Sequence, residues 1–172
     1  MSIFFIYPAN FAMHTAAEGI IPQHYIAVIM ASMDFIAILG GLLFVSAKKA
    51  LGRNTKFLAP VCFLAGYLLL AAAGGWAGTL IGSVFIGFAN GAGIPFIMTE
   101  ASMKAGKAAA TTVMPLISAA LYLAQFVSPV LMSIVRTIFG EGAAHLPYWF
   151  AVVLAVWFVL WSSLIPTGKE ER

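Results

Sequence analysis

The stretch Gly82–Ser133, GSVFIGFANGAGIPFIMTEASMKAGKAAATTVMPLISAALYLAQFVSPVLMS, decides the fold. It consists of two apolar segments joined by a short turn that carries Lys104 and Lys107. Gly87 and Gly91 lie four residues apart in the first segment, and small residues at this spacing let a neighbouring helix backbone approach closely in a bilayer. Prolines in both segments are compatible with membrane helices, because neighbouring helices and polar side chains satisfy the freed carbonyls. The stretch therefore predicts a membrane-spanning helical hairpin.

The composition of the whole chain agrees with a membrane protein. Hydrophobic residues make up 62% of the 172 residues, charged residues make up 9%, and the mean hydropathy is +1.00. In soluble proteins about a quarter of the residues are charged. About six spans of roughly 20 residues each would occupy most of the chain, so we expect an all-α membrane protein with a single transmembrane domain over residues 1–172. The six transmembrane helices are expected near residues 3–17, 25–47, 57–73, 79–98, 111–138 and 148–165.

The basic residues indicate how the spans are oriented. Eight of the nine Lys and Arg residues fall in two inter-span turns and the C-terminal tail, which six spans would place on one side of the membrane. By the positive-inside rule that side is cytoplasmic. Both termini are then expected to be cytoplasmic in a multi-pass protein of the cell membrane, plasma or inner. The turns also account for the net charge of +3, so no nucleic-acid partner is expected.

Three features together resemble helices ten and eleven of a major facilitator superfamily transporter. They are the run G-F-A-N-G-A-G-I-P-F at residues 87–96, the basic turn, and Y-L-A-Q-F-V-S-P-V at residues 122–130. The resemblance implies that the chain is the C-terminal six-helix half of such a transporter, built as an inverted three-plus-three repeat. It further implies alternating access, with the first, second, fourth and fifth spans lining a cavity. The implied partners are a small-molecule substrate and either the missing N-terminal half or a second copy of the chain.

Polar residues in those four spans are the candidates for the cavity. Asp34 lies close to the midpoint of the second span, where a carboxylate costs about 2.5–3.5 kcal/mol on insertion scales, so it is not expected to face lipid. Its role is open between a structural hydrogen-bond or ion-pair partner, a proton-coupling carboxylate and a substrate contact. The candidate cavity residues are Tyr7, Asn10, His14, Asp34, Asn90, Tyr122, Gln125 and Arg136.

Three of these candidate residues, Asn10, His14 and Arg136, each have more than one possible role. Asn10 and His14 belong to a polar side of the first span, and they either hydrogen-bond neighbouring helices or line the cavity. Arg136, near the outer end of the fifth span, either snorkels to the interface, attracts an anionic substrate or pairs with an acid.

A latch is predicted at the cytoplasmic side of the bundle. Glu100 follows the fourth span, and Lys49 and Arg53 lie in the basic turn after the second span. Glu100 is expected to pair with one of these two cations. The alternative is that the basic turn only orients the chain in the membrane.

Catalytic and metal-binding signatures are absent from the sequence. It contains no H-E-x-x-H, no G-x-S-x-G and no Cys and His residues at ligand spacing. Neither an enzymatic activity, a metal nor a cofactor is therefore expected. The expected function is secondary active transport of a small solute across the lipid bilayer. The alternatives are a non-transporting membrane subunit that packs against a partner and a homodimeric half-transporter.

Overall fold

The structure, a computed structural model, describes residues 1–72, 75–139 and 145–164. The side chains of residues 17, 18, 107, 108 and 136 lie outside that description. Across the described ranges the chain is helical and contains no strand, which confirms the all-α prediction. The helices are α1 (Ile3–Glu18), α2 (Gln23–Leu51), α3 (Thr55–Ala72), α4 (Trp76–Phe139) and α5 (Leu146–Leu164).

Two short interruptions divide the longest helical stretches. The 3-10 turn Gly52–Asn54 separates α2 from α3. Gly106 interrupts α4 with φ 71° and ψ 170°, a left-handed backbone conformation that glycine adopts readily because it has no Cβ atom. This break falls in the basic turn of the predicted hairpin, and it divides α4 into α4a (Trp76–Gly106) and α4b (Ala109–Phe139).

Within the described ranges, four helical segments are long and apolar enough to cross a membrane. They are Gln23–Ala72, which joins α2 to α3, and the segments α4a, α4b and α5. These segments support a membrane protein. Helix α1 has 16 residues, fewer than the roughly 20 that cross the hydrocarbon core of a bilayer.

Helix α4a lies directly against the backbone of α2 through its glycines. A Cβ atom on Gly87 would lie 2.6 Å from the carbonyl oxygen of Met33, and one on Gly91 would overlap the carbonyl of Ala37. Any larger residue at either position would force the two helices apart. The close helix approach predicted from the spacing of Gly87 and Gly91 is thus confirmed.

Helix α3 packs into the interior with one of its faces. A Cβ atom on Gly66 would lie 2.9 Å from the carbonyl oxygen of Gly82 in α4a, so these two backbones also touch. Phe63 and Tyr67 on α3 are fully buried. Val61 lies on the exposed side of α3, so this helix has one buried and one exposed face.

Candidate functional site

Pro8 interrupts the backbone hydrogen bonding of α1. Proline has no amide hydrogen, so the carbonyl of Phe4, four residues earlier, loses its donor within the helix. The side-chain amide Nδ2 of Asn90 in α4a donates to this carbonyl over a long 3.4 Å. Asn90 therefore supplies from a second helix the hydrogen bond that Pro8 removes.

The hydroxyl of Tyr67 lies against the neighbouring turn of α1. It donates to the carbonyl of Ile3 at 2.7 Å and accepts from the backbone N–H of Tyr7 at 3.2 Å. In an uninterrupted α-helix these two backbone groups pair with each other, because they are four residues apart. A side chain inserted at such a position is one of the established causes of helix bending.

A third side chain completes the set of donors around the start of α1. Ser128 Oγ in α4b donates to the carbonyl of Ser2 at 3.4 Å. The consecutive carbonyls of Ser2, Ile3 and Phe4 thus accept from α4b, α3 and α4a. The carbonyl of Ser2 also accepts from the backbone N–H of Phe5 at 2.9 Å. Helix α1 is continuous from Ile3 to Glu18, and side chains from three other segments hold its N-terminal end in place.

A buried hydroxyl chain links α1 to α4a one turn further along. The hydroxyl of Tyr7 and Ser83 Oγ are 2.6 Å apart, and Ser83 Oγ donates to the carbonyl of Thr79 at 2.7 Å. Each hydroxyl has one hydrogen, so Tyr7 is the donor to Ser83. Both side chains are buried.

Asn10 and His14 lie in the interior together with Tyr7. Asn10 Nδ2 donates to the carbonyl of Ile6 in its own helix at 2.8 Å. The His14 ring meets the rings of His145 and Tyr148 at centroid distances of 4.7 and 4.8 Å, nearly edge to face. The polar side of α1 therefore packs against neighbouring helices in this conformation.

Three of the other candidate residues lie on the surface of the bundle. Asp34 on α2 and Gln125 on α4b are exposed, and 73% of Tyr122 on α4b is accessible. Asn90 is half-buried, and its Oδ1 atom is buried without a hydrogen-bond partner among the described residues. The candidate set is thus divided between an interior group on α1 and α4a and an exposed group on α2 and α4b. The side chain of Arg136 lies outside the described residues.

The predicted latch stays a prediction. Lys49 and Arg53 are exposed near the end of α2, and Glu100 is half-buried in α4a. Among the described side chains, no group of three His, Cys, Asp or Glu residues is arranged to hold a metal ion.

Comparison with known proteins adds no relative. No family model matches the chain, and no curated protein or solved structure matches it either.

Several polar residues of this site were missed by the sequence analysis, namely Tyr67, Ser83, Ser128, His145 and Tyr148. The position of Tyr67 in the sequence could have indicated its role. It lies within an apolar segment, and a polar side chain buried in such a segment is expected to form a hydrogen bond.

Proposed function

We propose that the chain is one six-helix half of a membrane transporter and that it moves a small solute across the bilayer by alternating access. The observation that carries the proposal is the exposure of Asp34, Tyr122 and Gln125 on helices with the length and composition of membrane spans. Ionisable residues in membrane spans almost always face the bundle interior or a water-filled cavity. The exposed polar group therefore needs a covering structure or water on its side of the bundle.

The covering structure that fits best is a second bundle with a water-filled cavity between the two. It is either the missing N-terminal half or a second copy of the chain. In this arrangement Asp34, Gln125 and Tyr122 contact the solute or the water around it, and Asp34 is the residue open to proton coupling. Neither role requires covalent chemistry or a cofactor.

The proposal includes six spans with both termini in the cytoplasm. The 3-10 turn Gly52–Asn54 and its neighbours Lys48 and Lys49 divide the long Gln23–Ala72 segment, which supports two spans there. Gly106, next to Lys104, divides α4 in the same way. Both breaks then lie on the cytoplasmic side, where basic turns are enriched.

Pro8 in α1 also favours transport. Secondary transporters often have membrane helices in which backbone hydrogen bonds are missing at the site. Pro8 removes one such bond in α1, and Asn90 of α4a donates to the carbonyl that loses its partner.

A non-transporting subunit is the competing function. It predicts a different environment for the exposed polar residues Asp34, Tyr122 and Gln125. In a subunit the exposed polar group would be covered by a tightly packed partner and kept dry. In a transporter the same group must reach water during part of the cycle. Water access at Asp34 and Gln125 therefore separates the two.

Cysteine accessibility in native membranes tests the proposal. The lone native cysteine, Cys62, is half-buried and is first replaced by alanine. Single cysteines are then introduced in place of Asp34 or Gln125, and as matched controls in place of Leu42 or Leu123, which are 71% and 63% exposed on the same helices. The cysteine thiolate is the nucleophile that attacks the thiol reagent, and it forms only in contact with water. We expect a membrane-impermeant reagent to modify cysteines at the two polar positions and to leave both controls intact. Equal reactivity of all four, or none, would contradict the proposal.

A further inference from the structure

We propose that a cavity between the start of α1, both parts of α4 and helix α5 binds one acyl chain of an anionic phospholipid. The cavity has a volume of about 540 Å³, within the range of roughly 300–1,000 Å³ that is usual for small-molecule sites. The described residues Asp34, Tyr122 and Gln125 do not line it. The inference is therefore independent of the proposed transport.

The chemistry of the lining favours an apolar ligand. Among the described residues that line the cavity, Ser2 alone has no hydrophobic side chain, and four of the five from α5 are aromatic. The Ser2 carbonyl already accepts from the Phe5 N–H and from Ser128 Oγ. Sites for polar ligands hold a few polar groups that fix the ligand's orientation, and burying a polar group without such a partner is costly. The ligand is therefore expected to be a hydrocarbon chain.

The cavity extends from the surface of α5 into the interior of the bundle. Trp157 and Trp161 line it with 64% and 53% of their surface exposed, and their rings stack at a centroid distance of 6.5 Å. Ile3 and Phe4, which also line it, are buried. Helix α5 is long and apolar enough to cross a membrane, so its exposed face meets the hydrocarbon of the bilayer. An acyl chain can therefore enter beside the two tryptophans and contact Ile3 and Phe4.

A lysine lies at the same level of the bundle as one end of the cavity. A Cβ atom on Gly93 would lie 2.8 Å from the Phe4 ring and 3.1 Å from the Cβ atom of Ala59, so these three residues share one level. From there, the antiparallel helices α3 and α4a lead in the same direction, by about one turn each, to Lys56 and to Ile97 in the cavity lining. Basic residues near the ends of membrane helices attract anionic headgroups. The position of Lys56 therefore favours a negatively charged lipid.

Native mass spectrometry of the full chain in detergent, titrated with phosphatidylglycerol, tests the acyl-chain site. Leu154→Trp fills part of the cavity, whereas Val153→Trp adds the same side chain at a position outside the lining that is 65% exposed. We expect the unmodified chain and Val153→Trp to hold one phospholipid with similar affinity. Leu154→Trp should bind it about tenfold more weakly, the effect of losing contact with about two methylene groups.

Ile97→Phe narrows the cavity from α4a and should weaken binding as well, which keeps the test valid if Leu154→Trp does not fold. Equal affinity of the cavity variants and Val153→Trp would overturn the proposal, and so would a chain that retains no phospholipid. A chain that is dimeric and free of lipid would mean that a second copy covers the cavity, which would also overturn it.

A second titration tests the headgroup. Phosphatidylcholine with the same chains has no net charge, so it should bind about fivefold more weakly than phosphatidylglycerol, the effect of one lysine near the membrane surface. Lys56→Gln should remove this difference. Lys49→Gln makes the same change of charge on α2, which does not line the cavity, and should preserve the difference. Equal binding of the two lipids by the unmodified chain would overturn the anionic headgroup.

Discussion

The carbonyl oxygen of Ala37 occupies the place that a Cβ atom on Gly91 would take. Helices α2 and α4a therefore meet backbone to backbone at this point, and only glycine fits on the α4a side. In a bilayer, where lipid is as apolar as a leucine side chain, such close van der Waals contact is a main source of helix association.

Gly91→Ala is expected to destabilise the chain by about 1–3 kcal/mol, the usual cost of forcing extra atoms into a packed contact. Thermal unfolding in detergent measures the loss as a lower melting temperature. Gly41→Ala is the matched control in the same interface, because its Cβ atom would meet the carbonyl of Gly91 at 3.4 Å, an ordinary contact. Equal stability of the two variants would mean that α2 and α4a are not packed as described.

Tyr7 and Ser83 are expected to contribute to stability through one shared hydrogen bond. Tyr7→Phe and Ser83→Ala each remove the 2.6 Å hydrogen bond between the two side chains. Their combined loss of stability should fall short of the sum by about 0.5–1.5 kcal/mol, the net value of a hydrogen bond. A double-mutant cycle on unfolding free energies gives this number, and strict additivity would argue against the contact.

His14→Ala is expected to lower stability by about 2 kcal/mol or more, as large-to-small substitutions do in a packed core. His14 is 1% exposed and lies edge to face with His145 and Tyr148. His24 is exposed at the start of α2, so His24→Ala should cost little. The comparison of the two melting temperatures checks that α1 packs against α5, and similar losses would contradict it.

The proposed topology predicts from which side of the membrane a reagent reaches each turn. Cysteines in place of Asn54 or Lys104 should react with an impermeant reagent only from the cytoplasmic side, because basic turns are retained there. Cysteines in place of Gln23 or Trp76 should react only from the outer side. Sealed vesicles of opposite orientation provide the measurement. Labelling of Asn54→Cys and Gln23→Cys from the same side would exclude α2 as a complete span.

Some features of the fold could be predicted because their sequence patterns have one physical consequence. The apolar composition predicts helices, because a helix satisfies its own backbone hydrogen bonds in lipid. The spacing of Gly87 and Gly91 predicts a close backbone contact because small residues one turn apart form a groove. The helix break next to Lys104 was expected from the basic residues between two apolar segments, although the need for glycine at position 106 becomes clear only from its backbone angles.

Other features could not be predicted because the pattern fits two arrangements. The periodicity of Tyr7, Asn10 and His14 indicates a polar side of α1, but it is the same whether that side meets helices or water. The structure buries this side, whereas Gln125 and Tyr122 on α4b are exposed. Tyr67 contacts the carbonyl of Ile3, 64 residues earlier in the chain. The partner of a single tyrosine in an apolar segment cannot be predicted from the sequence.

The most direct test of alternating access is two-sided labelling of Gln125→Cys in the Cys62→Ala background. Right-side-out and inside-out vesicles are treated with the same impermeant thiol reagent, with Leu123→Cys, at an exposed apolar position, as the control. Alternating access predicts that Gln125→Cys reacts from both sides, because the cavity opens to each in turn, and that Leu123→Cys reacts from neither. Reaction of Gln125→Cys from one side only, or from neither, would contradict transport by this chain.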